Sequence, residues 1–327
     1  MGDHRNGWIV PRKEVLSDLQ TDPNRIRQLL DNINSKSQSL KYEMIPCGKC
    51  WACRLNYSAE WATRIMLESK KNDHNYFITL TYDDEHVPKN KHGFQVLVPN
   101  DTSAFIKSLR KPFERKGIKG IKYFLAGEYG PTTRRPHYHM ILMHCPLDIN
   151  QFYDTHIDSQ FKEHWKSPEI EKHWGKGMVD ICAAEWSTAA YVARYCTKKI
   201  FDNTEEYKKR DMQPEFVRMS KGIGMDYFYE NAESIYDTDE VVMKTIRGNT
   251  GSYKPPKAFD RKFKEQNEER WKEVQRNRLK ASNRSRKLKQ AASDVTDAQR
   301  LDQEREKILM KAKMLPREGN ETIGSTA

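Results

Sequence analysis

The chain has 327 residues, of which 37% are apolar and 31% are charged, and it carries a formal net charge of +11. This composition suits one sizeable core with a polar extension and argues against several independent domains. The excess of Lys and Arg favours a polyanionic partner, so nucleic acid is expected. The first residues hold no apolar run typical of a signal peptide, and no window is apolar enough to span a membrane, so we expect a cytoplasmic protein.

The N-terminal segment at 1–45 is polar and rich in Asn, Ser and Asp, which predicts a poorly packed arm. Three of the six cysteines follow it closely, at Cys47, Cys50 and Cys53. This spacing is typical of a cytosolic thiol or metal cluster rather than of a secreted disulfide framework. The thiols could bind Zn²⁺, although a closed tetrahedral site needs a fourth ligand. On a helix, the same spacing also suits three small buried apolar groups.

The elements predicted after the cysteines follow from the spacing of apolar residues. Helical intervals alternate irregularly with runs rich in β-branched and aromatic residues. Because there is no strict βαβ alternation, we predict an α+β domain with a central antiparallel sheet flanked by helices. The predicted elements are a helix at 50–70, a strand at 76–82, a helix at 102–117, strands at 122–128 and 137–143, and a helix at 187–200.

Two histidines near a turn-rich segment form the first chemical pattern. His137 and His139 lie in one predicted strand, and because side chains alternate along a strand, both imidazoles point to one face. The preceding segment YGPTTRRP at 129–136 carries turn residues and predicts a hairpin. Cross-strand partners in a hairpin have a constant index sum, which places Glu128 opposite His137. One carboxylate and two imidazoles then converge.

This predicted set of ligands suits Mg²⁺ or Mn²⁺ and leaves coordination positions open for water or phosphate oxygens. The alternative is a surface hairpin with two solvated histidines, a common context for an isolated His-x-His pattern. The placement of Glu128 and the tyrosine pattern described next favour the metal site.

A pair of tyrosines on the last predicted helix forms the second chemical pattern. Tyr191 and Tyr195 are four residues apart, so they share one helix face and are separated by about 6 Å along the axis. Lys198 lies three residues further on the same side. A tyrosine hydroxyl can attack a phosphodiester if its proton is removed and the phosphate charge is neutralised, which a metal and a lysine could supply jointly.

The alternative for this helix is that its tyrosines are core aromatics of an amphipathic segment. Its basic residues, Arg194, Lys198 and Lys199, argue against that alternative, because core helices seldom place cations so near an aromatic stripe. We therefore expect Arg194 and Lys199 to contact DNA.

The C-terminal region is predicted to be a linker followed by a polar, basic helix. Between 270 and 289, nine basic residues stand against one acid, a net charge of +8. This stretch would bind DNA phosphates, with Arg284, Arg286 and Lys287 as candidates, or would serve as a solvated helix or a protein-interaction segment. The predicted organisation is thus an arm at 1–45, a main domain at 46–235, and a linker with a basic tail at 236–327.

Together these segments resemble the HUH replication initiators, and the match is closest to those of microviruses in the gokushovirus branch. Several independent motifs occur in the right order between about residues 45 and 230, which is far more specific than any one motif. They are IPCGKCWACR from Ile45, FITLTYDDEHVP from Phe77, GEYG from Gly127, PHYHMIL from Pro136, YVARYCTKK from Tyr191 and KGIGMDYF from Lys221.

The resemblance implies an HUH endonuclease fold and roles for individual residues. FITLTY looks like the first HUH motif, a central strand beside the active site. His137 and His139 look like the metal-binding histidines of the second motif, and Glu128 looks like the third ligand. HUH enzymes in general do not need the cysteine triplet, so its role stays open.

For the tyrosine helix, the resemblance implies that Tyr191 and Tyr195 are the paired nucleophiles of the two-tyrosine subclass, with Lys198 as the lysine of that motif. The expected activity is a nickase and strand transferase that starts rolling-circle replication of a small phage. Cleavage of single-stranded or extruded origin DNA would give a 5′-phosphotyrosine and a free 3′-OH, and the displaced strand would later be rejoined. The implied setting is the host bacterial cytoplasm, with viral origin DNA, host helicase and host polymerase as partners and no membrane.

Three other interpretations stay open from the sequence. A plasmid initiator, a relaxase or an HUH transposase would share the chemistry and differ in biology. The CxxCxxC pattern would suit an iron-sulfur protein. The basic charge would also suit a DNA-binding protein without catalysis.

Overall fold

The computed structural model divides into two compact units, one formed by 1–56 with 296–315 and the other by 57–295 with 316–327. The residues that it describes are 8–11, 42–45, 51–130, 132–158, 161–198, 204–244 and 250–292, with 303, 306, 307 and 310. In the first unit, β1 (Trp8–Pro11) pairs antiparallel with β2 (Tyr42–Ile45). The segment predicted to be a poorly packed arm therefore contains a two-stranded sheet, which its polar composition did not indicate.

The second unit is built on a seven-stranded sheet in which neighbouring strands are antiparallel. Its strands are β3 (Asn75–Thr81), β4 (Lys122–Tyr129), β5 (Pro136–Met143), β6 (Tyr153–Ile157), β7 (Glu163–Lys166), β8 (Val179–Ala183) and β9 (Phe216–Met219). The order across the sheet is β6-β7-β8-β3-β5-β4-β9, so β3 is central. The predicted α+β fold with a central antiparallel sheet is confirmed.

Helices cover both faces of this sheet and extend to the C-terminal side. They are α1 (Trp51–Ser69), α2 (Pro99–Arg115), α3 (Pro168–Trp174), α4 (Trp186–Lys198), α5 (Thr204–Lys209), α6 (Met225–Thr238), α7 (Lys257–Gln266) and α8 (Glu268–Ala291). A separate two-stranded sheet joins β10 (Val241–Lys244) to β11 (Thr250–Tyr253). In the described ranges, none of the helices has an apolar stretch long enough to cross a lipid bilayer.

Alternation along the strands gives the large sheet two buried faces. On one face, Ile78 and Leu80 of β3 pack with Phe105 of α2 and Trp174 of α3. On the opposite face, Phe77 packs with residues of α1 and α4. Each fully buried Leu, Ile or Phe side chain stabilises the fold by about 1.5–3 kcal/mol. The second face is the one that carries the predicted histidines.

The C-terminal helices add a third buried cluster. Phe259 and Phe263 of α7 and Trp271 and Val274 of α8 are buried against α6 and β10. Spacings of four and three residues place each pair on one face of its helix. The beginning of the region predicted to be a linker and tail therefore belongs to the core. A few apolar residues spread among many charges gave no clear signal of this in the sequence.

A buried carboxylate connects α1 to the sheet and to the start of α6. Glu68 is 1% exposed. It accepts hydrogen bonds from His144 Nε2 at 2.8 Å and from the Gly224 backbone N–H at 2.6 Å. It also pairs with Lys122 at 2.8 Å. A Cβ on Gly224 would lie 2.9 Å from the Arg64 carbonyl oxygen, and its φ is +74°, so this approach requires glycine.

We expect the Glu68 carboxylate to make the fold sensitive to acid. Burial alone would raise the pKa of Glu68, but hydrogen bonds from His144, Lys122 and Gly224 outweigh it and hold the pKa at about 2. Because this value lies below the ordinary 4.5, ionised Glu68 stabilises the fold above about pH 4.5, and the contribution is lost as pH falls toward 2. Glu68→Gln should lower the free energy of unfolding by about 3 kcal/mol at neutral pH and by much less in acid.

Urea unfolding at about pH 7 and about pH 3 measures this difference. Glu230→Gln, at an exposed position of α6, is the matched control and should leave the free energy of unfolding unchanged at both pH values. An equal loss for Glu68→Gln at both pH values would contradict the assignment.

Candidate metal centre

The predicted hairpin between β4 and β5 forms with the predicted register. Glu128 pairs with His137, and Ala126 pairs with His139. Thr79 of β3 lies opposite His139 on the other side. Directly paired residues share a face of the sheet, so the structure brings Glu128, His137 and His139 together on one surface.

The three side chains meet at one carboxylate oxygen. The Nε2 atoms of His137 and His139 each lie 2.7 Å from Glu128 Oε1. Glu128, His137 and His139 are 3%, 8% and 0% exposed. The two imidazole rings meet edge to face with centroids 4.9 Å apart. One carboxylate and two imidazoles in this arrangement could hold a divalent metal ion.

The outer nitrogens of both imidazoles have their own partners. His137 Nδ1 lies 3.1 Å from the Arg135 carbonyl oxygen, and His139 Nδ1 lies 3.0 Å from Thr79 Oγ1. Because a carbonyl only accepts, His137 Nδ1 must donate, and in the neutral ring Nε2 then presents a lone pair to Glu128. His137 Nε2 and Glu128 Oε1 lie 2.7 Å apart, and their lone pairs repel each other unless a proton or a metal ion lies between the two atoms.

The charge on Glu128 also suits a bound metal ion. Burial alone would raise the pKa of Glu128, but the electrostatic interaction with His139 and the hydrogen bond with His137 outweigh it and hold the pKa at about 2. The second carboxylate oxygen, Oε2, is buried and has no hydrogen-bond partner among the described residues. A buried, ionised carboxylate with an unsatisfied oxygen is costly, and a divalent cation would remove that cost. The residues present therefore fit such an ion.

Helix α4 brings Tyr191 to the same surface. The helix packs on β4 and β5 and buries Ala189 and Val192. The half-buried Tyr191 ring lies 5.3 Å from the His139 ring and 6.1 Å from the Phe77 ring, in both cases edge to face. Phe77 in turn stacks on His139 at 5.6 Å. Tyr191 is thus a direct neighbour of His139, one of the three converging side chains.

Comparison with known proteins places the chain in a family. The family model for replication-associated protein ORF2/G2P matches residues 75–200, which include all of β3 and α4. Replication-associated protein ORF2 of Spiroplasma virus 4 is 46% identical over 223 residues, covering 68% of each chain. The chain belongs to the replication-associated protein ORF2/G2P family.

Two further relatives of this replication-associated protein come from phages. Replication-associated protein VP4 of Bdellovibrio phage phiMH2K is 31% identical over 244 residues, covering 72% of this chain and 73% of the relative. Replication-associated protein ORF4 of Chlamydia phage 1 is 27% identical over 206 residues, covering 62% of this chain and 50% of the relative. No solved structure matches the chain. The resemblance to replication proteins of microviruses, drawn from the sequence motifs, is confirmed.

For the other predicted site residues on the tyrosine helix, the structure describes less than it does for Tyr191. Tyr195 and Lys198 lie on α4, but their side chains fall outside the described residues, and Lys199 lies outside them altogether. Arg194 is half-buried on the same helix. Tyr191 is therefore the predicted nucleophile whose side chain the structure places near the candidate metal ligands.

The predicted cysteine and tail residues have separate positions. Cys47 and Cys50 lie outside the described residues, whereas Cys53 is a free, half-buried thiol on α1. The prediction that the three cysteines bind Zn²⁺ stays a prediction. Arg284 and Lys287 are exposed on α8, and the side chain of Arg286 falls outside the described residues.

Three residues that support the cluster were not predicted to do so. Thr79 contacts His139 Nδ1, and Phe77 stacks on the same ring. Arg135 offers its carbonyl to His137, while its side chain donates to the Tyr82 carbonyl at 2.7 Å. Alternation along FITLTY puts Phe77 and Thr79 on one face, which could have indicated both. The role of the Arg135 backbone depends on the turn conformation, which sequence spacing does not define.

Proposed function

We propose that this protein is an HUH-type nickase that initiates rolling-circle replication of a small single-stranded DNA phage. The observation that carries the proposal is the 5.3 Å approach of the Tyr191 ring to the ring of His139, one of three side chains that could hold a metal ion. Family membership supports it, since the relatives are replication-associated proteins of a virus and of phages. The same relatives favour a phage initiator over a plasmid initiator, a relaxase or a transposase.

The reaction is a transesterification on one phosphodiester. Glu128, His137 and His139 would hold Mg²⁺ or Mn²⁺, which polarises the scissile phosphate when bound. The hydroxyl of Tyr191 or Tyr195 loses its proton, and its oxygen forms a bond to phosphorus. The bond from phosphorus to the 3′ oxygen breaks, and that oxygen takes up a proton. The products are a 5′-phosphotyrosine and a free 3′-OH.

The substrate strand must be single-stranded or extruded from the duplex. The ligand cluster is buried and Tyr191 is half-buried on a helix. A phosphate held in line with the tyrosine hydroxyl therefore cannot belong to a stacked, fully paired helix. Host helicase would supply unwound template, and host polymerase would extend the 3′-OH in the host cytoplasm.

Helix α8 presents a basic face that suits DNA phosphates. The exposed residues Arg276, Lys280, Arg284 and Lys287 are spaced by four, four and three residues, which places them on one side of the helix. They extend over about 16 Å along its axis. We assign this face, called the basic stripe, to sequence-independent DNA binding.

Part of the positive charge of α8 is used within the fold instead. Arg278 Nε lies 2.8 Å from Asp239 Oδ2, and its Nη1 lies 2.8 Å from Asp260 Oδ2. Arg270 pairs with two acids of α6. The net charge of this segment therefore overstates the number of cations available to DNA, and the basic stripe is the better target for mutation.

Replacing the four basic-stripe residues with Gln should weaken single-stranded DNA binding and make it less sensitive to salt. With fewer phosphate contacts, fewer counterions are released on binding. The magnitude of the slope of log affinity against log salt concentration should therefore fall by up to about 3. Fluorescence anisotropy at several salt concentrations measures this slope. Nicking at low salt should survive in part.

The control for the basic stripe is an equal charge change elsewhere. Replacing Lys107, Lys111, Lys116 and Lys119, which are exposed on or just after α2, with Gln should alter the slope much less. Equal effects of the two variants would assign DNA binding to net charge alone. Truncation near residue 255 is a poorer test, because it removes Phe259 and Phe263 from the third core cluster.

The proposed activity is tested by incubating supercoiled phage replicative-form DNA with the protein and Mn²⁺. The expected products are open circles with protein linked to the 5′ end of the nicked strand. Binding to this DNA without any cleavage would replace the nickase with a non-catalytic DNA-binding protein.

A further inference from the structure

A second group of potential metal ligands lies near the edge of the large sheet that is formed by strand β6. Ligand atoms of His156, His164 and Asp180 all lie within 4.8 Å of one another. The two imidazole rings stack with centroids 5.1 Å apart. His156 is exposed, and His164 and Asp180 are half-buried. The group is therefore open to solvent.

Strand pairing explains why these residues meet. His156 of β6 pairs directly with His164 of β7, and His164 pairs with Cys182 of β8. Asp180 lies two residues before Cys182, so it points to the same face. Asp180 also pairs with Thr79 of β3, which places this group on the face of the sheet that carries the candidate metal centre.

The central imidazole of the group is held between two carboxylates. His164 Nδ1 lies 2.7 Å from Asp180 Oδ2. Its Nε2 lies 3.5 Å from Asp158 Oδ2, which is long for a hydrogen bond. Asp158 lies immediately after β6 and Asp180 lies on β8, so acidic groups face the ring from two different elements. Such an environment attracts a cation.

The β6–β7 hairpin also has little hydrophobic support from its outer strand. Every residue of β6 is exposed. Tyr153 and Asp154 of β6 make polar contacts with Glu171 and Lys166, but β6 gains little from apolar burial, so a further attachment would stabilise it. A metal ion bridging β6, β7 and β8 would supply it, because ligands on three strands would be fixed to one point.

We infer that His156, His164 and Asp180 bind a second divalent metal ion, separate from the one proposed at Glu128, His137 and His139. Two imidazoles and one carboxylate suit Zn²⁺ and similar late first-row ions. The exposed side of the group leaves a coordination position for water. The ion fastens the β6–β7 hairpin to β8.

The test is Zn²⁺ binding to the full chain, measured by equilibrium dialysis and elemental analysis. His156→Gln removes an exposed ligand and should lower the amount of bound Zn²⁺ by one equivalent relative to the wild type. The matched control is His86→Gln, because His86 also pairs with a carboxylate, Asp83, at 2.7 Å, and both side chains are exposed on a loop. The control should retain the full amount.

Hydrogen exchange gives a second measurement that does not depend on cleavage. Zn²⁺ should slow amide exchange in β6 and β7 of the wild type, and it should have no such effect in His156→Gln. Equal Zn²⁺ binding by the wild type and His156→Gln would overturn the inference. Loss of binding in Glu128→Gln alone concerns the other site, so the two proposals can fail independently.

Discussion

Glu128→Gln is expected to reduce nicking of origin DNA by more than about 100-fold, and His139→Ala is expected to abolish it. Glu128 supplies the only carboxylate of the converging trio, and both imidazole Nε2 atoms lie 2.7 Å from its Oε1. Removing its charge should therefore weaken metal binding with little change in side-chain shape. The measurement is the initial rate of cleavage of a single-stranded origin oligonucleotide over a range of Mn²⁺ concentrations.

Controls for this prediction separate chemistry from folding. His92→Ala alters an exposed histidine and should cleave at the wild-type rate. Chelation of the wild type with excess EDTA should reproduce the loss, and thermal unfolding should show that Glu128→Gln still folds. Full activity in EDTA would rule out metal-dependent cleavage and return the three side chains to a structural role.

The double variant Tyr191→Phe/Tyr195→Phe is expected to form no covalent DNA adduct, whereas each single variant should keep some first-strand cleavage. The change removes one oxygen and preserves packing, so loss of activity reports on the hydroxyl. Rolling-circle replication needs one cut to start and another to release a unit-length strand. Two hydroxyls one helical turn apart can alternate in these cuts. Each single variant should therefore impair repeated circle release far more than the first cut.

The control for the tyrosines is Tyr229→Phe, at an exposed position of α6, which should match the wild type in both assays. If Tyr191→Phe releases circles as well as the wild type over many rounds, alternation is wrong and Tyr195 acts alone. If the double variant still forms an adduct, the nucleophile lies elsewhere in the chain.

The central hairpin could be predicted in detail from sequence because its geometry is local. A turn-rich segment between two apolar runs defines the register, and the register then places Glu128 opposite His137 as observed. The helix carrying Tyr191 was predicted at 187–200 and is found at Trp186–Lys198. The approach of Tyr191 to His139 depends on how distant segments pack. From sequence alone, only the shared helix face of the two tyrosines could be predicted.

Elements with weak apolar patterns were harder to predict. Strand β6 is exposed throughout, so it lacks the alternation that marks a half-buried strand. The second histidine group was missed for this reason, since its members come from three separate strands of only four or five residues each. The core role of α7 and α8 was missed because Phe259, Phe263, Trp271 and Val274 are dispersed in a strongly charged segment.

Mass spectrometry of the covalent protein–DNA adduct tests the central claim most directly. After cleavage of a single-stranded origin oligonucleotide with Mn²⁺, the protein is digested and the peptide carrying the nucleotide is sequenced. We predict that the 5′ nucleotide is attached to Tyr191 or Tyr195, within α4 and beside the ring of His139. Attachment to a residue outside this helix, or cleavage that leaves no adduct, would contradict a metal-assisted tyrosine nickase.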